Sequence, residues 1–375
     1  DGGWPVTGRP PSHESRMLGY ILRRTLIAIP VLAGVLVVVF LLVRLLPGEP
    51  CTAMLGERAS PEACERFNAA NGLDEPIPVQ LAIYSQRILS GDFGESIRFS
   101  RPVSSILLER LPVTAELSIA ALLVAVGTGI PLGVLAARRH NTAVDVGAMT
   151  VANVGVSMPV FWLGLLLAYL GAIVLGGTPF ELPASGRMPP GMRPSPFWEV
   201  WGWDVGDSGV VYSAAFFVSK MQIVNALISA QWEALVAAVR HLILPTLALA
   251  TIPMSIIARM TRSSLMDVLQ RDYVRTARAK GAPEKRVVRH HALRNALLPV
   301  VTVIGLQLGA LLGGAVLTET VFGLAGIGTA LYESISTRDF PIVQAFTVVI
   351  AGTYVIINLV VDISYGYLDP RVRLR

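Results

Sequence analysis

The chain has 375 residues, of which 53% are hydrophobic and 15% charged, with a net charge of +5. Soluble domains carry about 25% charged residues, so this composition favours a polytopic membrane protein over two soluble domains. The positive balance does not indicate nucleic acid, because Lys and Arg gather at the ends of apolar runs, the pattern of membrane topology.

In chain order, residues 1–16 are polar and Pro-rich and read as a disordered tail or an expression remnant, with Met17 as a natural start. Residues 17–46 read as the first transmembrane helix. Its apolar run, roughly 20–46, has a core from Thr25 to Val43 that is long for a signal peptide, and no clean small-residue cleavage site follows. Residues 47–111 read as an external cap. Within it, Ser60 and Pro61 mark a helix start, Asn71-Gly72 its end, and a second helix is expected over 77–90. Cys51 and Cys64 share this region, where an oxidising compartment permits a disulfide; two free thiols are the alternative.

Residues 112–375 read as the core, with five further apolar stretches near 114–137, 148–175, 241–260, 295–317 and 343–365. Each is long enough to cross a bilayer, and each should be helical because lipid satisfies no backbone group. Interior Gly127, Gly129, Pro131 and Gly133 are compatible with that. The segment 176–240 reads as an external insertion. Its Trp198, Trp201 and Trp203 suit interfacial anchoring or a partner surface. Its 209–230 stretch, interrupted by Lys220, Gln222 and Asn225, reads as an external or interfacial helix.

Charge sets the orientation. The loop 259–294 carries ten Lys or Arg against three acids, and the C-terminal DPRVRLR carries three Arg. Residues 47–111 carry nine acids against six basic residues, and 176–239 five against three. The positive-inside rule then gives six spans with both termini cytoplasmic.

The basic loop contains YVRTARAKGAPEKRVVRHHALRNALLP, residues 273–299, with seven Lys or Arg and one acid, Glu284. Nothing breaks a helix from Arg271 to Lys280. Gly281 suits the left-handed residue that ends it, and Pro283 and Glu284 open another. Tyr273, Thr276, Ala277 and Lys280 fall on one face by their spacing. Such a knob could seat in a groove of another protein; a basic loop lying on anionic headgroups is the alternative.

Polar residues in the spans have competing readings. Glu116 reads as a first-turn carboxylate favouring the helix dipole, with a substrate role as the rival. Asn153 and Gln307 face the pathway or bond between helices. Glu319 is expected at the outer mouth, in a gating role or beside a tightly packed glycine turn. Asp339 is expected to cap the last span, with Pro341 its first helical residue, and Asp362 to pair with the tail arginines. No Cys-His cluster offers a metal site. Neither GERAS nor GLAGIGTA has the Lys of a phosphate-binding loop, so no catalytic residue and no ATP hydrolysis are expected in this chain.

The stretch DYVRTARAKGA…HHALRNALLP resembles the loop shared by permease subunits of ABC importers, in the form found in the dipeptide, oligopeptide and nickel group. The general pattern is Glu-Ala-Ala, three residues, then Gly. Arg275, Thr276, Ala277 and Gly281 hold those positions, so the Glu is absent and no carboxylate role attaches to position 275. GDFGESIRFSRPV, SMPVFWLGLLL, ASGR, RHLILPTLALA and TETVFGLAGIGTALYESISTRDFPIVQA match the same group, over about Met17 to Arg375, with 187–240 matching least.

The resemblance implies an all-α type I ABC importer permease fold in a prokaryotic plasma (inner) membrane, carrying short peptides or a similarly delivered solute. It implies a second homologous permease, two ATPase subunits that bind ATP and Mg, an extracytoplasmic substrate-binding protein, membrane lipid, and no nucleic acid. Tyr273, Arg275, Thr276, Ala277, Lys280 and Gly281 would form the ATPase-coupling helix and its turn. Dipeptide, oligopeptide, nickel-chelate and glutathione importers share these motifs. An ATP-independent secondary transporter or channel would want charge pairs along the spans, and few exist. A membrane scaffold leaves the cytoplasmic knob unexplained.

Overall fold

A computed structural model describes residues 13–45, 51 and 59–368. Helix α1 runs His13–Leu45. It begins ahead of Met17, so residues 13–16 are helical where a disordered tail is expected; residues 1–12 lie outside the described residues.

The 47–111 cap region follows its local signals. Helix α2, Pro61–Asn71, has the Ser60 side chain accepting from the Ala63 amide at 3.1 Å, and it ends at Gly72 with φ 64°. Helix α3 runs Ile77–Leu89. Cys51 and Cys64 are joined as a disulfide with Cα atoms 5.3 Å apart, within the usual range for such a bond. Unreduced denatured chain is therefore expected to resist a maleimide-polyethylene-glycol reagent and to take two labels after reduction. Labelling before reduction would rule the pairing out.

The core is built on two long helices, α4 (Val103–Arg138) and α10 (Trp232–Leu269), which pack side by side through Leu117, Ala121, Ala125, Ala248, Leu249 and Ile257. The approach is as close as backbone allows. A Cβ on Gly129 would sit 2.8 Å from the Met254 carbonyl oxygen, and one on Gly133 would sit 2.5 Å from that of Ala258. Small residues thus let helices meet without side chains between them. Both helices outrun the expected spans, 114–137 and 241–260. Their polar ends close a hydropathy window but do not stop a helix.

One expected span is broken. The 148–175 stretch divides into α5 (Ala143–Ser157) and α6 (Val160–Tyr169, continued by a π turn Leu170–Val174), bent by 101°. Pro159 explains the break: it holds Met158 extended (φ −95°, ψ 133°) and supplies no amide to continue the helix. The insertion folds as α7 (Phe197–Trp201), α8 (Gly209–Lys220) and α9 (Gln222–Ile228), the last two bent by 102°. Phe197 and Trp198 pack with Ala215 as a small separate core.

The basic loop forms α11 (Asp272–Ala279) and a short α12 (Glu284–Arg286), then a π turn, Val287–Ala292, into α13 (Leu293–Gly314). Helices α14 (Val316–Val321), α15 (Ile327–Thr337) and α16 (Phe340–Leu368) complete the described residues. Gly305 and Gly309 of α13 receive Val361 and Tyr354 of α16. Helix α1 lies against α16, where Arg24 and Asp362 pair at 2.9 Å. Asp362 thus has a partner in Arg24; the tail arginines lie outside the described residues. Among the described residues, five helices are long and apolar enough to cross a membrane, or up to seven if each bent pair is one span.

Asp339 stands at the start of α16, but its side chain does not cap that helix. Its Oδ2 accepts from the Ser96 hydroxyl at 2.5 Å and the Arg98 amide at 3.1 Å, and so ties the cap region to the last span. Phe340, not Pro341, is the first helical residue.

Candidate functional site

The knob is a short helix held by its inner side. Val274 is fully buried and packs with Leu265, Val287, Ala292, Ala296 and Ala137, so one residue joins the ends of α4, α10 and α13. Ala277 is half-buried in the same cluster, although its spacing with Tyr273 placed it at the centre of an outward face. Tyr273 leans on α13, its hydroxyl accepting from the Asn295 amide group at 2.9 Å. Arg275, Thr276 and Lys280 remain exposed.

The turn depends on Gly281, whose φ is +77° with no atom within 4 Å of a would-be Cβ. Conformation, not crowding, therefore demands glycine there. Pro283 takes the N-cap position, one residue earlier than expected. Across the turn, Arg278 donates to Glu284 from Nε at 3.1 Å and from Nη2 at 2.8 Å. Glu284 raises the already high value of the Arg278 guanidinium, mainly through these bonds. Both side chains are about half exposed, which limits the pair to about 1 kcal/mol or less.

On the opposite end of the bundle two carboxylates are buried as fasteners. Glu319 is fully buried; it accepts from the Thr114 hydroxyl at 2.5 Å and from the Thr329 amide at 3.0 Å. Thr114 in turn accepts from the Ile327 amide at 2.9 Å. One carboxylate and one hydroxyl thus serve the start of α15. A Cβ at Gly326 would collide with the Glu319 carboxylate, which gives the GLAGIG turn its small residues.

Glu116 has a parallel task. It accepts from Arg187 Nη2 at 2.6 Å and from the Gln222 and Ile223 amides at 3.2 and 2.6 Å, so it caps α9 across space. Because α4 begins at Val103, Glu116 is not a first-turn residue and the dipole reading fails. The adjoining cavity, of about 10 Å³, holds one water at most and no cargo.

The three pathway candidates do not converge. Asn153 is exposed on α5 and accepts from Arg259 Nη1 at 3.2 Å. Gln307 is half-buried on α13, and Glu319 is enclosed at the end opposite the knob. Among the described residues no group of three or more His, Cys, Asp or Glu is placed to hold a metal ion.

Residues 129–374 match the family described as binding-protein-dependent transport system inner membrane component, and residues 17–118 match its N-terminal region. The chain belongs to this permease family. The permease is similar to a dipeptide transport system permease protein of Alkalihalophilus pseudofirmus, with 42% identity over 95% of this chain and 100% of the relative. A di/tripeptide transport system permease protein of Pseudomonas aeruginosa is 43% identical over 95% of this chain and 99% of its own length. A dipeptide transport system permease protein of Escherichia coli is 40% identical over 95% and 99%.

A third fastener lies at the knob end of the permease. Asp145 accepts from Arg262 Nε and Nη2 at 2.7 and 2.8 Å and from the Asn141 amide at 3.0 Å, with His140 Nδ1 3.2 Å away. It ties the 139–145 turn to α10 just before the knob. Sequence reading missed this pair and Glu116–Arg187, whose partners are 117 and 71 residues apart. A single Arg in the ASGR motif, in a stretch without acids from Leu182 to Trp198, was the available signal for the second.

Proposed function

We propose that this chain is the membrane-spanning permease subunit of an ATP-driven importer of short peptides. It forms half of the pathway beside a second homologous permease, takes cargo from an extracytoplasmic binding protein, and is driven by two ATPase subunits. The observation that carries the reading is the knob: an exposed Arg275-Thr276 and Lys280 face on a helix whose Val274 is seated among the ends of α4, α10 and α13. A push on that helix reaches three core helices at once. The peptide class is supported by the relatives' names and by the nearly full-length match to them.

Six spans with both termini cytoplasmic accord with the charge distribution, with α5 and α6 as one bent crossing and α8 and α9 outside. The Arg24–Asp362 pair brings the early part of α1 to the late part of α16 and suits that arrangement. Glu116 and Asn225, which hold α9 and α7, suit an external fold for the insertion.

The test is a mild-detergent purification with mass spectrometry of bound subunits, followed by uptake of labelled dipeptide in proteoliposomes with the binding protein. Two ATPases and a second permease are expected. A chain that purifies alone would favour a secondary transporter. Within the complex, Gly281→Val is expected to lower uptake about tenfold, the size of a left-handed strain of about 1–2 kcal/mol, while Gly281→Asn loses less. Normal uptake in Gly281→Val would remove the coupling role from this turn.

A further inference from the structure

We propose that the cleft beside the knob binds the headgroup of an anionic phospholipid. The cleft, of about 850 Å³, is lined by Pro283, Lys285, Arg286, Arg289 and His290. It therefore gathers three permanent cations and a histidine within six residues of sequence, with no carboxylate in the lining. The nearest acid in sequence, Glu284, is engaged by Arg278. The side chains of Lys285, Arg286 and Arg289 are exposed and have no hydrogen-bond or ion-pair partner among the described residues. Cations held together without a counter-charge repel one another, and an anion in the cleft relieves that.

The backbone explains the gathering. The π turn over Val287–Ala292 has a wider circumference than an α turn. Val287, in the knob's core, and Val288 are both buried, and the next two residues, Arg289 and His290, both face out into the cleft. A side-by-side basic pair is what a phosphate diester with several acceptor oxygens can bridge.

Depth selects a lipid over a soluble or protein anion. The apolar run of α13 begins about six residues after His290, a rise of about 9 Å, which sets the cleft near the phosphate-bearing layer. Arg294, exposed one turn on, continues the positive face toward the bilayer. The outward knob residues Arg275, Thr276 and Lys280 precede the Gly281 turn, whereas the cleft follows it, on the segment returning to the membrane. Basic clusters at this level attract anionic headgroups, by about fivefold per cation.

The experiment uses the assembled transporter in nanodiscs of phosphatidylcholine with added phosphatidylglycerol, with native mass spectrometry of retained lipid. The wild-type complex is expected to retain phosphatidylglycerol preferentially. Lys285→Gln/Arg286→Gln/Arg289→Gln should lose that preference by about fivefold per charge removed, and Lys285→Arg/Arg286→Lys/Arg289→Lys should keep most of it. Arg289→Gln alone, with an expected loss of about fivefold, carries the same test should the triple variant not assemble. Undiminished phosphatidylglycerol retention in the Gln variants overturns the proposal. So does retention of the lipid together with loss of the ATPase subunits, which would make the cleft a protein contact.

Discussion

Glu319→Ala is expected to be the most destabilising single substitution in the permease core. It leaves the Thr329 amide and the Thr114 hydroxyl without their acceptor in a site from which solvent is excluded. Each stranded buried group costs about 1–3 kcal/mol, so the two together cost about 2–6 kcal/mol. Glu319→Gln keeps the shape and one acceptor oxygen and should lose less. Thermal unfolding in detergent, followed by fluorescence-detected size exclusion, should show the order wild type, Gln, Ala, with Ala lower by several degrees. An Ala variant as stable as wild type would mean that the start of α15 is held by other contacts and that Glu319 is free for the pore-mouth role its position invites.

The second large effect separates assembly from work. Val274→Asp puts an unpaired carboxylate among Leu265, Val287, Ala292 and Ala296. Burial of a charge without a partner costs several kcal/mol, and the cheapest escape is to undock α11. The spans themselves lose nothing, so the variant should reach the membrane in normal amount. In the purified complex, dipeptide uptake should fall at least tenfold while ATPase activity no longer responds to the loaded binding protein. Val274→Ala, which only removes volume, should lose much less. Normal stimulation of ATPase activity by the binding protein in Val274→Asp would show that the knob transmits through its outward face alone.

These two residues mark what sequence could and could not reveal. The knob was readable because its instructions are local: Gly281 after a helix-forming run, Pro283 and Glu284 after the glycine. Ser60 and Gly72 placed the ends of α2 for the same reason. The inward role of Val274 was not readable, since its neighbours come from positions 137, 265, 287 and 296. Glu319 suffered likewise; a carboxylate beside a glycine turn looks like a pore residue until Thr114, 205 residues away, is found against it. The break in the 148–175 stretch was legible in Pro159 but was masked by its unbroken apolarity. The ends of α10 were lost to the opposite error, because Glu233, Arg240, Arg262 and Asp267 interrupt hydrophobicity without interrupting a helix.

The reach of α10 gives the bundle a mechanical ratio. Its 38 residues form one rod from the 176–240 insertion to the knob, about 57 Å long. The rod is clasped where Gly129 and Gly133 touch the Met254 and Ala258 carbonyls, and that clasp is off-centre. About 20 Å of rod lies between it and Leu269, and about 36 Å between it and Trp232. Rocking on such a fulcrum, a knob end moved by 1 Å would carry the Trp232 end through nearly 2 Å, by the ratio of those two lengths. On the proposed importer reading, a small displacement made at the knob would thereby be returned enlarged, and reversed in direction, at the Trp232 end.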